Sequence, residues 1–179
     1  MAILKISRLG HPVLLRRADP VPDPTALEMR RLAADMAETM LDANGLGLAA
    51  PQVHIPLRVF VMRHEQAVIA LFNPELSALS EETEPGWEGC LSIPGLRGEV
   101  PRFTRIAWTA QDAEGRTVRG EAEGLAARVM QHETDHLDGI LYPMRMPDLS
   151  RLGFNEELAR HDPATQRMPG DPRPTGVPR

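Results

Sequence analysis

The chain has 179 residues, 42% of them apolar and 25% charged, and a net charge of −5. That length suits one globular domain with a real core, and the acidic balance argues against general binding to nucleic acid or anionic membranes. The only cysteine, Cys90, excludes a disulfide within the chain and with it a disulfide-built secreted scaffold. No apolar run approaches the length of a membrane span, and residues 1–6 lack the apolar core of a signal peptide. A reducing cytoplasm is the simplest compartment.

Residues 1–22 read as irregular, broken by Pro12, Pro20 and Pro22, with Ile3 to Ile6 as a short edge strand. Thr25 with Glu28 fits a capping box opening a helix over 25–43. Its apolar stripe is Leu32, Met36 and Met40, with Ala33 and Ala37. Asn44-Gly45 stops it. The segment Gly45-Leu46-Gly47-Leu48-Ala49-Ala50-Pro51-Gln52 follows. It lacks the third Gly of a dinucleotide fingerprint and the Gly-Lys-Ser/Thr of a phosphate loop. By itself it reads as a turn whose small residues let backbone come close to a neighbour. Leu57 to Met62 and Ala67 to Phe72 predict two antiparallel strands, with His64-Glu65 as a solvated turn. Residues 75–84 add a third strand candidate. Cys90 lies between Gly89 and Leu91-Ser92, outside any apolar run. Residues 105–111 and 116–122 flank a turn at Asp112 to Gly115, a hairpin signal.

Gly124 to Asp138 predicts a second helix, stopped by Gly139. It carries Gln131-His132-Glu133-Thr134-Asp135-His136, a His-Glu-x-x-His pattern. At helical spacing both imidazoles leave one face and can reach one metal ion, with Glu133 close enough to take a proton from water. Taking His132 as zero, Leu125 falls near about 20°, His136 near 40° and Val129 near 60°, so Leu125 and Val129 share the histidine stripe. Such a site takes three protein ligands. Two sources for the third are open: Cys90, or a downstream carboxylate, Glu156 or Glu157, as in thermolysin-like proteases. The remaining stretch is a short segment 140–143, an arm over 149–160 and a Pro-rich, polar 161–179 that predicts a flexible tail. Residues 1–160 form one domain.

Gly45 to Gln52, Glu88-Gly89-Cys90-Leu91-Ser92 and Gln131 to His136 closely resemble the three signature motifs of peptide deformylases, in that family's order. Val100-Pro101-Arg102 and His136 to Gly139 resemble family segments too, and the likeness covers roughly 3–150. The resemblance implies an α+β fold: antiparallel β-sheets packed around a central buried helix carrying the His-Glu-x-x-His motif. It implies a hydrolase removing the N-formyl group from the initiator methionine of nascent chains. One divalent metal ion would be held by Cys90, His132 and His136: Fe2+ in the cell, with Zn2+, Ni2+ or Co2+ as alternatives. Glu133 would be the general acid and base. The Gln52 amide and the Leu91 backbone N–H would serve the oxyanion. Gly47 would leave main chain free beside an extended peptide, and Leu46, Leu125 and Val129 would line the methionine pocket. Nascent N-formyl-Met peptides are the expected partners, without nucleic-acid specificity or a membrane. The family's C-terminal helix is shortened here, which leaves a ribosome contact open. Thr134 replaces the family's apolar residue and points away from the metal. For Asp135, orienting a ligand and a structural hydrogen bond both stand.

Overall fold

The β-branched and aromatic residues between 57 and 72 build the centre of the larger sheet. In the computed structural model, which describes residues 2–161, β2 (Val59–His64) and β3 (Ala67–Ala78) pair antiparallel in register Val61↔Ala70. β1 (Gly47–Ala49) adds to the free side of β2, β6 (Arg105–Gln111) to β3, and β7 (Thr117–Glu123) to β6. The order is β1-β2-β3-β6-β7, with β1 at an edge. A second sheet has the order β4-β5-β8, from β4 (Thr83–Cys90), β5 (Ile93–Phe103) and β8 (Leu152–Phe154). Every pairing within the two sheets is antiparallel, and three α-helices complete an α+β fold.

β2 is buried on both faces, because successive side chains point to opposite sides. Val59 and Val61 meet Leu32, Met36 and Met40 of α1 (Leu27–Asp42), the predicted stripe. Phe60 and Met62 meet Ala127, Met130 and Leu137 of α2 (Gly124–Leu137). The smaller sheet has its own core: Cys90, Ile93 and Val100 with Leu14, Leu141 and Tyr142. α2 follows β7 without a loop, and Gly124 makes the corner at φ 57°, a conformation that favours glycine.

Several expectations give way. Thr25 does not cap α1. Its hydroxyl and amide both bond the Asp23 carboxylate, and the helix begins behind Ala26 with no side-chain cap. A local turn has outcompeted the helix for that hydroxyl. Ile3 to Ile6 form no strand; the Leu4 amide is taken by the Thr39 hydroxyl (2.9 Å) and the Ser7 amide by the Gln52 carbonyl (2.7 Å). The strand candidate at 75–84 divides: β3 runs on to Ala78, and β4 starts at Thr83. The 149–160 arm becomes β8 and the short α3 (Asn155–His161). The predicted tail lies outside the described residues except for His161. Among the described residues, no helix is long and apolar enough to cross a membrane.

Candidate metal centre and active site

α2 and the end of β4 bring the chemistry together. His132 and His136 lie one turn apart, their rings edge to face with centroids 4.9 Å apart. A register shift between Gly89 and Cys90 breaks the β4–β5 ladder just before its last pair, Cys90↔Ile93, and Cys90 Sγ lies 3.2 Å from His136 Nε2. One ligand atom from each of Cys90, His132 and His136 lies within 4.8 Å of the others, so the three could hold a metal ion. A sulfur and two imidazole nitrogens suit several first-row ions. The Ser92 amide (3.4 Å) and the Gln52 amide (3.5 Å) both point at the sulfur. Glu156 and Glu157, the alternative third ligands, are exposed on α3, where Glu157 pairs with Arg160. The thermolysin-like arrangement therefore has no basis here.

Behind His132 stands Glu88. Its Oε2 is 2.9 Å from His132 Nδ1, which leaves the other ring nitrogen to face Cys90. Such a partner fixes the tautomer and orientation of a metal-binding imidazole, so the residues fit a cation. Arg102 grips Glu88 with both Nε and Nη2 (2.9 and 3.0 Å) and reaches Asp135 with Nη1 (2.6 Å). Burial opposes the charge on Glu88, but the hydrogen bonds from His132 and Arg102 outweigh it and hold its carboxyl far below the ordinary range. Burial also opposes charge on both imidazoles. Contacts with Cys90 and Glu88 overcome it on His132, whereas on His136 burial and the neighbouring His132 press the ring well below its usual value. A metal ion here would bind the deprotonated ligands and so compete with protons for them.

Glu133 is 4% exposed, and its Oε2 has no hydrogen-bond partner. Burial pushes its carboxyl up to about 7, a value suited to exchanging protons near neutral pH. Its carboxylate lies directly over Gly47, where a Cβ would stand 2.7 Å from Glu133 Cδ. Gly47 is thus needed by Glu133 itself, a constraint beyond the room it leaves for a peptide. Gln52 is fully oriented: its Oε1 accepts from the Ala49 amide (2.8 Å), and its NH2 faces Cys90 and Ser92. Leu91 sits in the turn between β4 and β5.

These side chains surround a cavity of about 180 Å³. Leu46, Gly47, Gln52, Cys90, Leu91, Leu125, Val129, His132 and Glu133 all line it, as does Trp87. His136 is buried behind it at 1% exposure. Leu125 and Val129 are only half-buried, because their stripe of α2 faces this opening while Ala127 and Met130 face the core. Thr134 and Asp135 line a different cavity on the far side of α2. The Asp135 carboxylate bonds Arg102 and Arg145, so its role is in an ion network. Glu88, Arg102 and Arg128 are functional neighbours to which the sequence-based expectations give no role. A signal was available for Arg128: at four residues before His132 it falls on the buried histidine stripe, where a cation demands a carboxylate.

The polypeptide deformylase family model matches residues 3–152. Peptide deformylase 2 of Ralstonia nicotianae is 46% identical over 172 residues, spanning 90% of this chain and 97% of that protein. The crystal structure of peptide deformylase from Thermotoga maritima superposes with a TM-score of 0.80 at 42% identity, covering 83% of this chain and all of that one. A class I type b peptide deformylase of Acinetobacter baumannii, crystallised with Met-Ala-Ser bound, gives a TM-score of 0.78 at 35% identity over 81% of this chain and 99% of that one. With the family model matched over most of its length and a close relative covered almost end to end, the chain belongs to the peptide deformylase family.

Proposed function

We propose that the chain is a metal-dependent hydrolase that removes the N-formyl group from the N-terminal formyl-methionine of newly made polypeptides, releasing formate. The observation that carries this is the Cys90, His132 and His136 cluster beside a Glu133 carboxylate whose Oε2 has no hydrogen-bond partner, at the wall of a small, largely apolar cavity. In this reading the fold is organised around α2, the catalytic unit is residues 1–160, and the enzyme works in the cytoplasm on nascent chains, with or without direct contact to the ribosome.

Cys90, His132 and His136 would hold one divalent ion, Fe2+ in the cell with Zn2+, Ni2+ or Co2+ as substitutes. When bound, the ion supplies Lewis acidity, polarising the formyl oxygen and making water nucleophilic near neutral pH. The chain's own residues do the rest. Glu133 takes a proton from the attacking water as the new C–O bond forms, and returns it to the amide nitrogen as the C–N bond breaks. The Gln52 NH2, held in place by the Ala49 amide, and the Leu91 N–H are the donors for the developing oxyanion. β1 is an edge strand, so a peptide can extend beside it through main-chain hydrogen bonds. Leu46, Leu125 and Val129 offer an unbranched apolar side chain a dry wall. The Acinetobacter relative was crystallised with Met-Ala-Ser bound, which supports a methionyl peptide as the class of ligand.

Formate release from formyl-Met-Ala-Ser, measured beside peptide-bond cleavage of an unformylated peptide, tests the assignment. Formate without internal cleavage is expected; cleavage without formate would refute it.

A further inference from the structure

Arg128 lies one helical turn before His132 on α2, lines the cavity and is 7% exposed. A cation at that depth needs acceptors, and it has four. Nη1 donates to Glu88 Oε1 (2.9 Å), to the Val100 carbonyl (2.8 Å) and more loosely to the Gly86 carbonyl (3.4 Å). Nη2 donates to the Glu84 carbonyl at 2.7 Å. The β4–β5 hairpin makes room for it: a Cβ on Gly86 would stand 2.7 Å from Arg128 Cζ.

The Glu88 carboxylate is shared in an ordered way. Oε1 accepts from Arg102 Nε and Arg128 Nη1; Oε2 accepts from Arg102 Nη2 and pairs with His132 Nδ1. Arg102 approaches as a fork from β5, which aligns the carboxylate with its own guanidinium plane. Arg128 approaches from α2 itself. Arg128, Glu88 and His132 therefore close a ring of bonds that begins and ends on one helix, a turn apart.

We propose that Arg128 is a positioning residue for the reaction: by holding Glu88 against α2, it sets the His132 ring with Nδ1 on Glu88 and Nε2 toward Cys90 and His136. This rests on the metal-site reading above. An arginine with a merely structural role would tie the hairpin to the helix through three carbonyls. Its loss would lower the melting temperature and leave the metal untouched.

Zn2+ affinity of the purified full-length chain, measured by competition with a chromophoric chelator, separates the two roles. Arg128→Gln should weaken Zn2+ binding about tenfold, the low end for a group acting behind a metal ligand. Gly86→Ala, which displaces the guanidinium but keeps its charge, should weaken it in the same direction. In metal-free protein labelled with 15N-histidine, the His132 Nδ1–H signal should be sharp in the wild type and broadened or lost in Arg128→Gln. Unchanged Zn2+ affinity with an unchanged His132 signal overturns the proposal, whatever the melting temperature does. If Arg128→Gln does not fold, Gly86→Ala decides on the same two readouts. A wild-type chain that binds no Zn2+ would overturn the metal site itself and this proposal with it; a wild type that binds normally beside an unaffected variant overturns only the role of Arg128.

Discussion

Gly47→Ala is a one-atom perturbation whose consequence can be worked from the geometry. The added methyl would stand 2.7 Å from Glu133 Cδ and 2.8 Å from Cγ, distances no real Cβ contact tolerates. The backbone at Gly47 is held in register by Met62 across the sheet, so Glu133 must move. It is 4% exposed and lines the cavity, so it moves into an unfavourable rotamer or swings out into the space the substrate needs. Overpacking of this kind costs about 1–3 kcal/mol, and at this chain length each kcal/mol lowers the melting temperature by roughly 2–4 °C. The larger effect is on rate: a displacement of about 1 Å in a reacting group costs on the order of 10²-fold. Steady-state kinetics of formate release, with metal content measured on the same sample, should give a fall in kcat with metal retained. A near wild-type kcat would refute the placement of the base by Gly47. A rise in KM alone would instead put the methyl in the way of the peptide beside β1.

Four further variants probe the remaining parts of the site. Cys90→Ala removes one of the three candidate metal ligands, so the purified protein should carry little metal, whereas the double change Glu156→Gln with Glu157→Gln should leave the content unchanged; elemental analysis of anaerobically prepared protein decides. Gln52→Ala should lower kcat by about 10²–10³, the usual cost of one oxyanion donor. Freeing the buried Ala49 amide should add about 1–3 kcal/mol of destabilisation, read from denaturant unfolding. Arg102→Met removes the charge shared by the buried carboxylates of Glu88 and Asp135 and leaves them Arg128, His132 and Arg145, so the loss should stay below the roughly 3–5 kcal/mol of a buried pair left with no partner. A melting temperature unchanged by that substitution would contradict the network.

Much of the site was legible because it is carried by local patterns. His132 and His136 need only helical spacing to meet, and the stripe they share with Leu125 and Val129 gave the cavity wall before any tertiary contact was known. The β2–β3 and β6–β7 hairpins were readable from β-branched runs and a turn at Asp112 to Gly115. The β4–β5 hairpin was not. Thr83-Glu84-Pro85-Gly86-Trp87-Glu88-Gly89-Cys90 has neither alternation nor β-propensity; it is a strand because its partner and Arg128 hold it. The same holds for the ion network. Glu88, Arg102, Arg128 and Asp135 lie on three different elements, and charged residues far apart in sequence reveal no pairing until the chain is folded. Gly47 shows a finer limit. A small residue beside the site could be inferred, but the neighbour that forbids a side chain there, Glu133, is 86 positions away in the chain.

The proposed hydrolysis requires Glu133 to move the proton at a metal site built from Cys90, His132 and His136. Formate release from formyl-Met-Ala-Ser by the wild type and by Glu133→Gln, compared at equal metal content, tests it most directly. The variant should bind metal as the wild type does and lose about 10²–10⁴ of the turnover, the range for a lost general base. Equal rates from the two proteins at matched metal would contradict the central claim.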